Sequence, residues 1–430
     1  MKIIVHRGAE ETGGNCIELV SGKSRILLDY GALPGAADEE TILNIPGLYD
    51  DKASHPILGL IISHTHLSHY GALLARPINP GIKVFMTEIM EDVIRINAKM
   101  PRDGKKLPAN IHYFRKGHKF IVGRFVITPY LMDHTAAESF AFLIESEGKR
   151  VIYTGDFRAH GGKANAFKQF LAASMGPVDA LITEGVRAGI EKGPDEQEVM
   201  DHLEPMVKDQ HGAVYFMCAG QDIGLLTSLA ALARNTKRYL VVDGYTVLVL
   251  ERLKELALKQ GVELKIPGLD TEYLRIVRNA ATQRIYQLTE YAGIFRRMRP
   301  VMFGWDWVND NLRKLIIPVR ANSQLWVDEQ IKDFGGAAFV YSDWESYGDE
   351  PGMRETLEWF KAQRMEAIAI PSSGHAYFST IRKLVENKRP RYIIPVNAGD
   401  PEKFTSTFGK RAKVLKNGEE FALDQAEKSF

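Results

Sequence analysis

The chain has 430 residues, 45% of them hydrophobic and 25% charged, with 55 basic against 54 acidic side chains. Those values are ordinary for globular domains and exclude a disordered, collagen-like or coiled-coil chain. The net charge of +1 excludes a globally basic protein that coats polyanions, but not a local basic groove.

Two cysteines, Cys16 and Cys218, are too few for a disulfide framework. The start is strand-like rather than a signal peptide, and no run reaches the ~20 apolar residues of a membrane-spanning helix. The reading is a cytoplasmic protein with no membrane partner.

In chain order, short strands are expected at 2–5, 15–20, 25–29 and 57–62, separated by glycine turns. A helix follows at 88–98, then a strand at 120–131 and a pair at 139–144 and 150–153 joined by Glu147-Gly148. Residues 179–182 form a further strand. From about residue 200 the pattern changes to alternating helix (197–208, 223–233, 247–260) and strand (213–218, 239–242), as in βαβ units with a parallel sheet. A helix-rich stretch at 271–298 precedes strands at 314–319 and 337–341, and helix–strand pairs return with 367–370 and 391–396. The organisation is two domains, the second inserted into the first.

Histidine carries most of the chemistry. Ser63-His64-Thr65-His66-Leu67-Ser68-His69 follows an apolar run. Residues two apart on an extended segment project to one side, so His64 and His66 converge, and a turn brings His69 close. Three imidazoles at a strand end suit a catalytic zinc, which keeps three protein ligands and an open position. Three more apolar runs end in polar residues: Leu28-Asp29, Met132-Asp133-His134 and Gly155-Asp156. Together these supply a further imidazole and carboxylates to the same kind of site.

With these residues in order, the chain resembles the metallo-β-lactamase fold. Thr183-Glu184-Gly185 and Ser373-Gly374-His375-Ala376 look like two motifs of its β-CASP branch, and His6-Arg7-Gly8 with Gly13-Gly14-Asn15-Cys16 is similar to small RNase J-like members. The resemblance implies an α/β (α+β) αββα sandwich at 1–200, completed at 361–430, with a β-CASP α/β domain inserted at 201–360. It implies a two-zinc hydrolase of nucleic-acid phosphodiesters. His64, His66 and His134 would hold the first metal, Asp156 would bridge, and His69 would bind the second. Glu184 and His375 would face the leaving group, and Asp29 would support the ligands from behind rather than bind metal.

Three positions depart from that pattern. Ser68 stands where the family has an aspartate, Asn397 follows Pro395-Val396 where it has a histidine, and Pro371 replaces another histidine. The first two changes strike the second metal, to which a serine hydroxyl and an amide oxygen are poor ligands. One zinc is therefore expected, the second weak or absent, with manganese as the alternative ion. Asp133, His160 and Asp400 are the candidates to rescue the second position. One zinc still activates water, so hydrolysis stays open.

For substrate contact, Arg158 and the Ser372-Ser373-Gly374 backbone are the phosphate-binding candidates. Arg275, Arg278, Arg284, Arg296, Arg297 and Arg299, interleaved with tyrosines, form either a strand-tracking face or a packed helix with snorkelling arginines. The expected activity is a ribonuclease-type phosphodiesterase on single-stranded RNA, attenuated at the second site. The alternatives are a non-catalytic RNA- or partner-binding protein with a structural zinc, and a hydrolase of small phosphodiesters or esters. A homodimer is the commonest symmetric assembly.

Overall fold

The computed structural model describes residues 1–430 except 52, 101–103, 280–282, 284, 343–351, 372 and 424–430. The chain divides into two compact units. The first comprises Met1–Ala98, Lys105–Gly193 and Gly374–Phe430; the second comprises Lys99–Gly104 and Pro194–Ser373.

The first unit opens with β1 (Lys2–Arg7), β2 (Cys16–Ser21), β3 (Ser24–Leu28), β4 (Ile57–Ile61), β5 (Lys83–Met86) and β6 (Ile111–Tyr113). It continues with β7 (Phe120–Val122), β8 (Phe125–Met132), β9 (Ser139–Ser146), β10 (Lys149–Tyr153) and β11 (Ala180–Gly185). The second unit holds β12 (Val214–Met217), β13 (Tyr239–Asp243), β14 (Leu274–Val277), β15 (Met302–Phe303), β16 (Leu315–Val319), β17 (Ala338–Ser342) and β18 (Glu366–Ile370). β19 (Tyr392–Ala398) and β20 (Glu420–Ala422) return to the first unit.

Two sheets make the first unit, ordered β20-β1-β2-β3-β4-β5-β6 and β19-β11-β10-β9-β8-β7. Side-chain alternation sorts their faces. From β9, Phe140, Phe142 and Ile144 enter the core shared with β1–β4, while Ala141 and Leu143 pack outward against Phe167, Phe170, Phe378 and Ile381 of the covering helices. β10 and β11 divide the same way, with Val151, Tyr153 and Ile182 inward and Ile152 and Leu181 outward. Strands buried on both faces read as continuous apolar runs, which is why these were visible in the sequence. Inside the helical layer, Lys388 caps the helix Ala164–Ala172, donating to the carbonyls of Phe170, Leu171 and Ala173 at 2.7, 3.0 and 2.8 Å.

Two expectations are corrected. The single strand at 120–131 is a hairpin, β7 and β8, because Gly123 adopts φ +57° and turns the chain. Among the described residues, the helix-rich stretch at 271–298 contains β14, two single 3₁₀ turns and a short helix, Ala292–Met298. Tyr291, Ile294, Phe295 and Met298 are buried there. Arg275 lies over the Tyr239 ring, and Arg297 pairs with Glu255 and Glu251 at 2.8 and 3.2 Å. Arg284 lies outside the described residues. The second unit's sheet, β15-β14-β13-β16-β12-β17-β18, is parallel throughout.

One buried ion pair sets an acid limit on the first unit. Glu18 is buried on β2, with His6 Nε2 at 2.7 Å and Arg25 Nε at 2.5 Å. Burial pushes its carboxyl up, but the hydrogen bonds from His6 and Arg25 outweigh that and hold it below the ordinary 4.5. A depressed carboxylate contributes stability that is complete above the unfolded value and lost as pH falls through the folded one. Glu18→Gln is therefore expected to lose about 1–3 kcal/mol at pH 7. The gap to the parent should shrink below pH 4.5. Urea unfolding of both proteins at pH 7 and pH 4 measures it; a gap that does not narrow would contradict the assignment.

Candidate metal centre

The site is built at strand ends of the first unit. β4 runs into Ile62-Ser63, and His64 makes an isolated antiparallel bridge with Ser139. His66 is still extended, at φ −91° and ψ 143°, so His64 and His66 face the same side. A single turn, Leu67–Tyr70, returns His69 to them. His134 follows β8, Asp156 follows β10, Glu184 lies near the end of β11, and His375 sits in the loop before the helix Phe378–Lys388.

His64, His66 and His134 bring one ring nitrogen each within 4.8 Å of one another; so do the donor atoms of His64, His69 and Asp156, and those of Asp156, Glu184 and His375. The hydrogen bonds assign the tautomers. Gly374 O can only accept, so His134 Nδ1–H donates to it at 2.6 Å and Nε2 keeps its lone pair. Ser63 Oγ–H donates to Asp29 Oδ2 at 2.7 Å and accepts from His64 Nδ1–H at 3.1 Å. His64 Nε2 is left buried with no hydrogen-bond partner among the described residues. An orphaned buried nitrogen beside two converging imidazoles fits a metal ion. Burial drives the protonation of all three down, His66 to about 4 and His64 and His134 well below 6.5, so they stand neutral as ligands must.

Asp29 holds this set in place. It follows β3 directly with φ +60°, and its carboxylate accepts from Ser63 N (2.7 Å), Ser63 Oγ (2.7 Å), Tyr153 OH (2.6 Å) and His69 Nδ1 (2.7 Å). Its carboxylate is occupied by these donors, as a residue that orients ligands requires. His69 Nε2 lies 2.9 Å from Asp156 Oδ2. Burial opposes the charge on His69, but Asp156 and Asp29 hold its pKa at about 10.

The second metal position does not fit. Asn397 interrupts β19 at φ +50°, where the pairing with β11 shifts from Val396 to Ala398. That bulge turns its carboxamide into the site. Gly13 N–H is 2.7 Å from one amide atom, which must therefore be the oxygen; the amino group then donates to Asp156 Oδ1 and Oδ2 at 3.1 and 3.3 Å. Asn397 thus presents hydrogens, not a lone pair. Among the described residues none of the three rescue candidates joins a converging group of donor atoms. Asp133 accepts from Gly161 N (2.8 Å) and Arg158 Nε (3.4 Å), His160 stacks on Tyr377, and Asp400 caps the helix Pro401–Phe408. Of the residues the resemblance assigns to a second ion, His69 and Asp156 are the two present.

His375 Nδ1 lies 3.0 Å from Glu184 Oε2, while Phe157 N–H fixes Glu184 Oε1 at 2.7 Å. Burial lowers the His375 pKa, but the Glu184 carboxylate reverses this and leaves it raised. Arg158 is buried with its guanidinium on Asp133, Ser373 is buried, and Ser372 lies outside the described residues. Sequence reasoning missed Ser63 and Tyr153, which anchor Asp29. Their signal was only their adjacency to His64 and their place in the strand before Asp156.

With this geometry, residues 24–217 match the beta-lactamase superfamily domain. The fold class read from the sequence is thus borne out: a mixed α/β architecture in which residues 24–217 are similar to that superfamily domain. Its relatives are RNase J-like. It is 24% identical to Ribonuclease J of Sinorhizobium meliloti over 55% of this chain and 43% of that protein. It is 27% identical to Probable RNase MJ4 of Methanocaldococcus jannaschii over 43% of this chain and 45% of that one. With Ribonuclease J 2 of Streptococcus pyogenes the identity is 24%, over 57% of this chain and 45% of the relative. The chain thus spans less than half the length of these curated relatives. A crystal structure of a protein of unknown function from Enterococcus faecalis shares the fold at a TM-score of 0.73 and 18% identity, covering 98% of this chain and 99% of that one. Among the described residues no helix is long and apolar enough to cross a membrane.

Proposed function

We propose that the chain is a zinc-dependent phosphodiesterase of the ribonuclease type, acting in the cytoplasm on single-stranded RNA, with manganese as the alternative ion. The observation that carries this reading is the orphaned His64 Nε2 converging with two neutral imidazoles beside the Glu184–His375 pair. His64, His66 and His134 would hold one ion. When bound, that ion supplies an activated water and a Lewis acid for the phosphoryl oxygen.

The chain's own residues do the rest. Asp29 and Ser63 fix the imidazole His64, and Gly374 O fixes His134. Glu184 holds His375 by Nδ1, which directs Nε2 to deliver a proton to the leaving oxygen. Asn397 and His69 donate hydrogen bonds to Asp156 where a second ion would otherwise sit, so activity is attenuated relative to a two-metal centre. In this reading residues 1–200 and 361–430 are the metallo-β-lactamase domain and 201–360 the β-CASP domain.

One observation favours a second reading, a non-catalytic RNA-binding protein with a structural zinc: the Asn397 amide occupies Asp156. Incubating end-labelled single-stranded RNA with metal-replete, chelated and reconstituted protein separates the two. Cleavage that chelation stops and zinc restores supports the enzyme; RNA that is bound but intact in all three supports the binding protein.

A further inference from the structure

We infer that Arg187 is a receiving residue for a phosphate oxyanion, a role that rests on the phosphodiesterase reading. Four arginines are buried among the described residues: Arg7, Arg158, Arg187 and Arg238. Three have their donors engaged inside the fold. Arg7 donates to the carbonyls of Thr41 and Glu40, Arg158 pairs with Asp133, and Arg238 donates to the carbonyls of Gly212, Leu315 and Gln210.

Arg187 is different. Its Nε and Nη1 are buried with no hydrogen-bond partner among the described residues, and the guanidinium lies over the Tyr377 ring at 4.7 Å from the centroid. An aromatic face offsets only part of the desolvation of a guanidinium. A buried cation with unsatisfied donors destabilises a fold, and an incoming anion removes that penalty.

Its place in the chain points to which anion. Arg187 lies three residues beyond Glu184, and Tyr377 two beyond His375. Ile190 N donates to Arg187 O and Phe378 N to Ile190 O, both at 2.9 Å, tying the two segments together. His160 stacks on Tyr377 with ring centroids 4.5 Å apart, which fixes the ring that carries the guanidinium. The uncompensated charge is therefore anchored to the same two segments that hold the Glu184–His375 pair. The planar donor fork of a guanidinium matches a phosphate oxyanion. Arg158, the cation read from the sequence, is engaged by Asp133 instead.

The phosphate is either a backbone diester or a terminal monoester, and one set of measurements distinguishes them. Metal-replete parent, Arg187→Met and Arg187→Lys are compared for binding of inorganic phosphate by calorimetry. Binding of a phosphorothioate oligoribonucleotide, with a 5′-phosphate or a 5′-hydroxyl, is followed by anisotropy across salt concentrations. Arg187→Met is expected to weaken binding at least about tenfold and to reduce the slope of log K against log salt by about 0.7. Arg187→Lys keeps most of the slope but not the affinity. Loss confined to the 5′-phosphorylated oligomer assigns the monoester; equal loss for both assigns the diester. Thermal unfolding guards against a purely structural role: Arg187→Met should be as stable as the parent or more so. A less stable Arg187→Met, or unchanged affinity and slope, overturns the assignment. Parent protein that binds phosphate through Arg187 but neither oligomer upholds it while removing the RNA reading.

Discussion

Replacing His66 by alanine is expected to release the metal and to lower RNA cleavage by at least about 10³-fold, while the protein stays folded. His66 supplies one imidazole of the His64–His66–His134 group, and its Nδ1 lies 3.1 Å from His134 Nε2, so its loss opens the first position directly. Partners that merely orient ligands are worth about 10- to 100-fold each, and a ligand is worth more. The fold should survive because His66 is only half-buried, at the N-terminus of a single turn, and takes no part in either sheet. Metal content by mass spectrometry, circular dichroism and cleavage of end-labelled RNA check the three parts together. Full cleavage by a metal-free His66→Ala protein would remove the site from the chemistry.

Restoring the two departed positions should create what the chain lacks. Ser68→Asp combined with Asn397→His is expected to raise bound zinc from about one to about two ions per chain, since a carboxylate and an imidazole then join His69 and Asp156 in a four-ligand set. Both changes are needed. Asn397→His alone gives up the hydrogen bonds to Gly13 and Asp156 and adds a single ligand; Ser68→Asp alone leaves the amide's hydrogens on Asp156. The backbone at position 397, φ +50°, tolerates histidine better than a β-branched residue. Cleavage should rise with the second ion, because two metals stabilise both attacking and leaving oxygens. A double variant that still binds about one zinc would show that something other than these two side chains closes the second position.

The parts legible in the sequence were those set by local spacing. His64 and His66 converge because an extended backbone alternates, and that is readable two residues at a time. Asp29, His134 and Asp156 were found because each ends an apolar run. The orientation of Asn397 was not readable. It is decided by a backbone N–H at Gly13, 384 residues away in the chain, which holds the amide oxygen away from Asp156. Arg158 and Arg187 show the same limit: both follow buried strands closely, and only the tertiary partner, the Asp133 carboxylate in one case and the Tyr377 ring in the other, separates an internal ion pair from a charge without a carboxylate. The stretch at 271–298 misled for another reason. Its tyrosines and arginines have helical spacing, but Leu274–Val277 is claimed by the parallel sheet, where β14 pairs with β13 and β15. Tertiary pairing overrode local propensity there.

The most direct measurement is RNA cleavage followed as zinc is added back, in counted equivalents, to metal-free protein. Cleavage that rises in step with bound zinc and levels off at about one equivalent is the expected result for a hydrolytic centre built on a single complete ligand set. Zinc that binds while the RNA stays intact at every loading would contradict it, and would leave His64, His66 and His134 holding a structural ion.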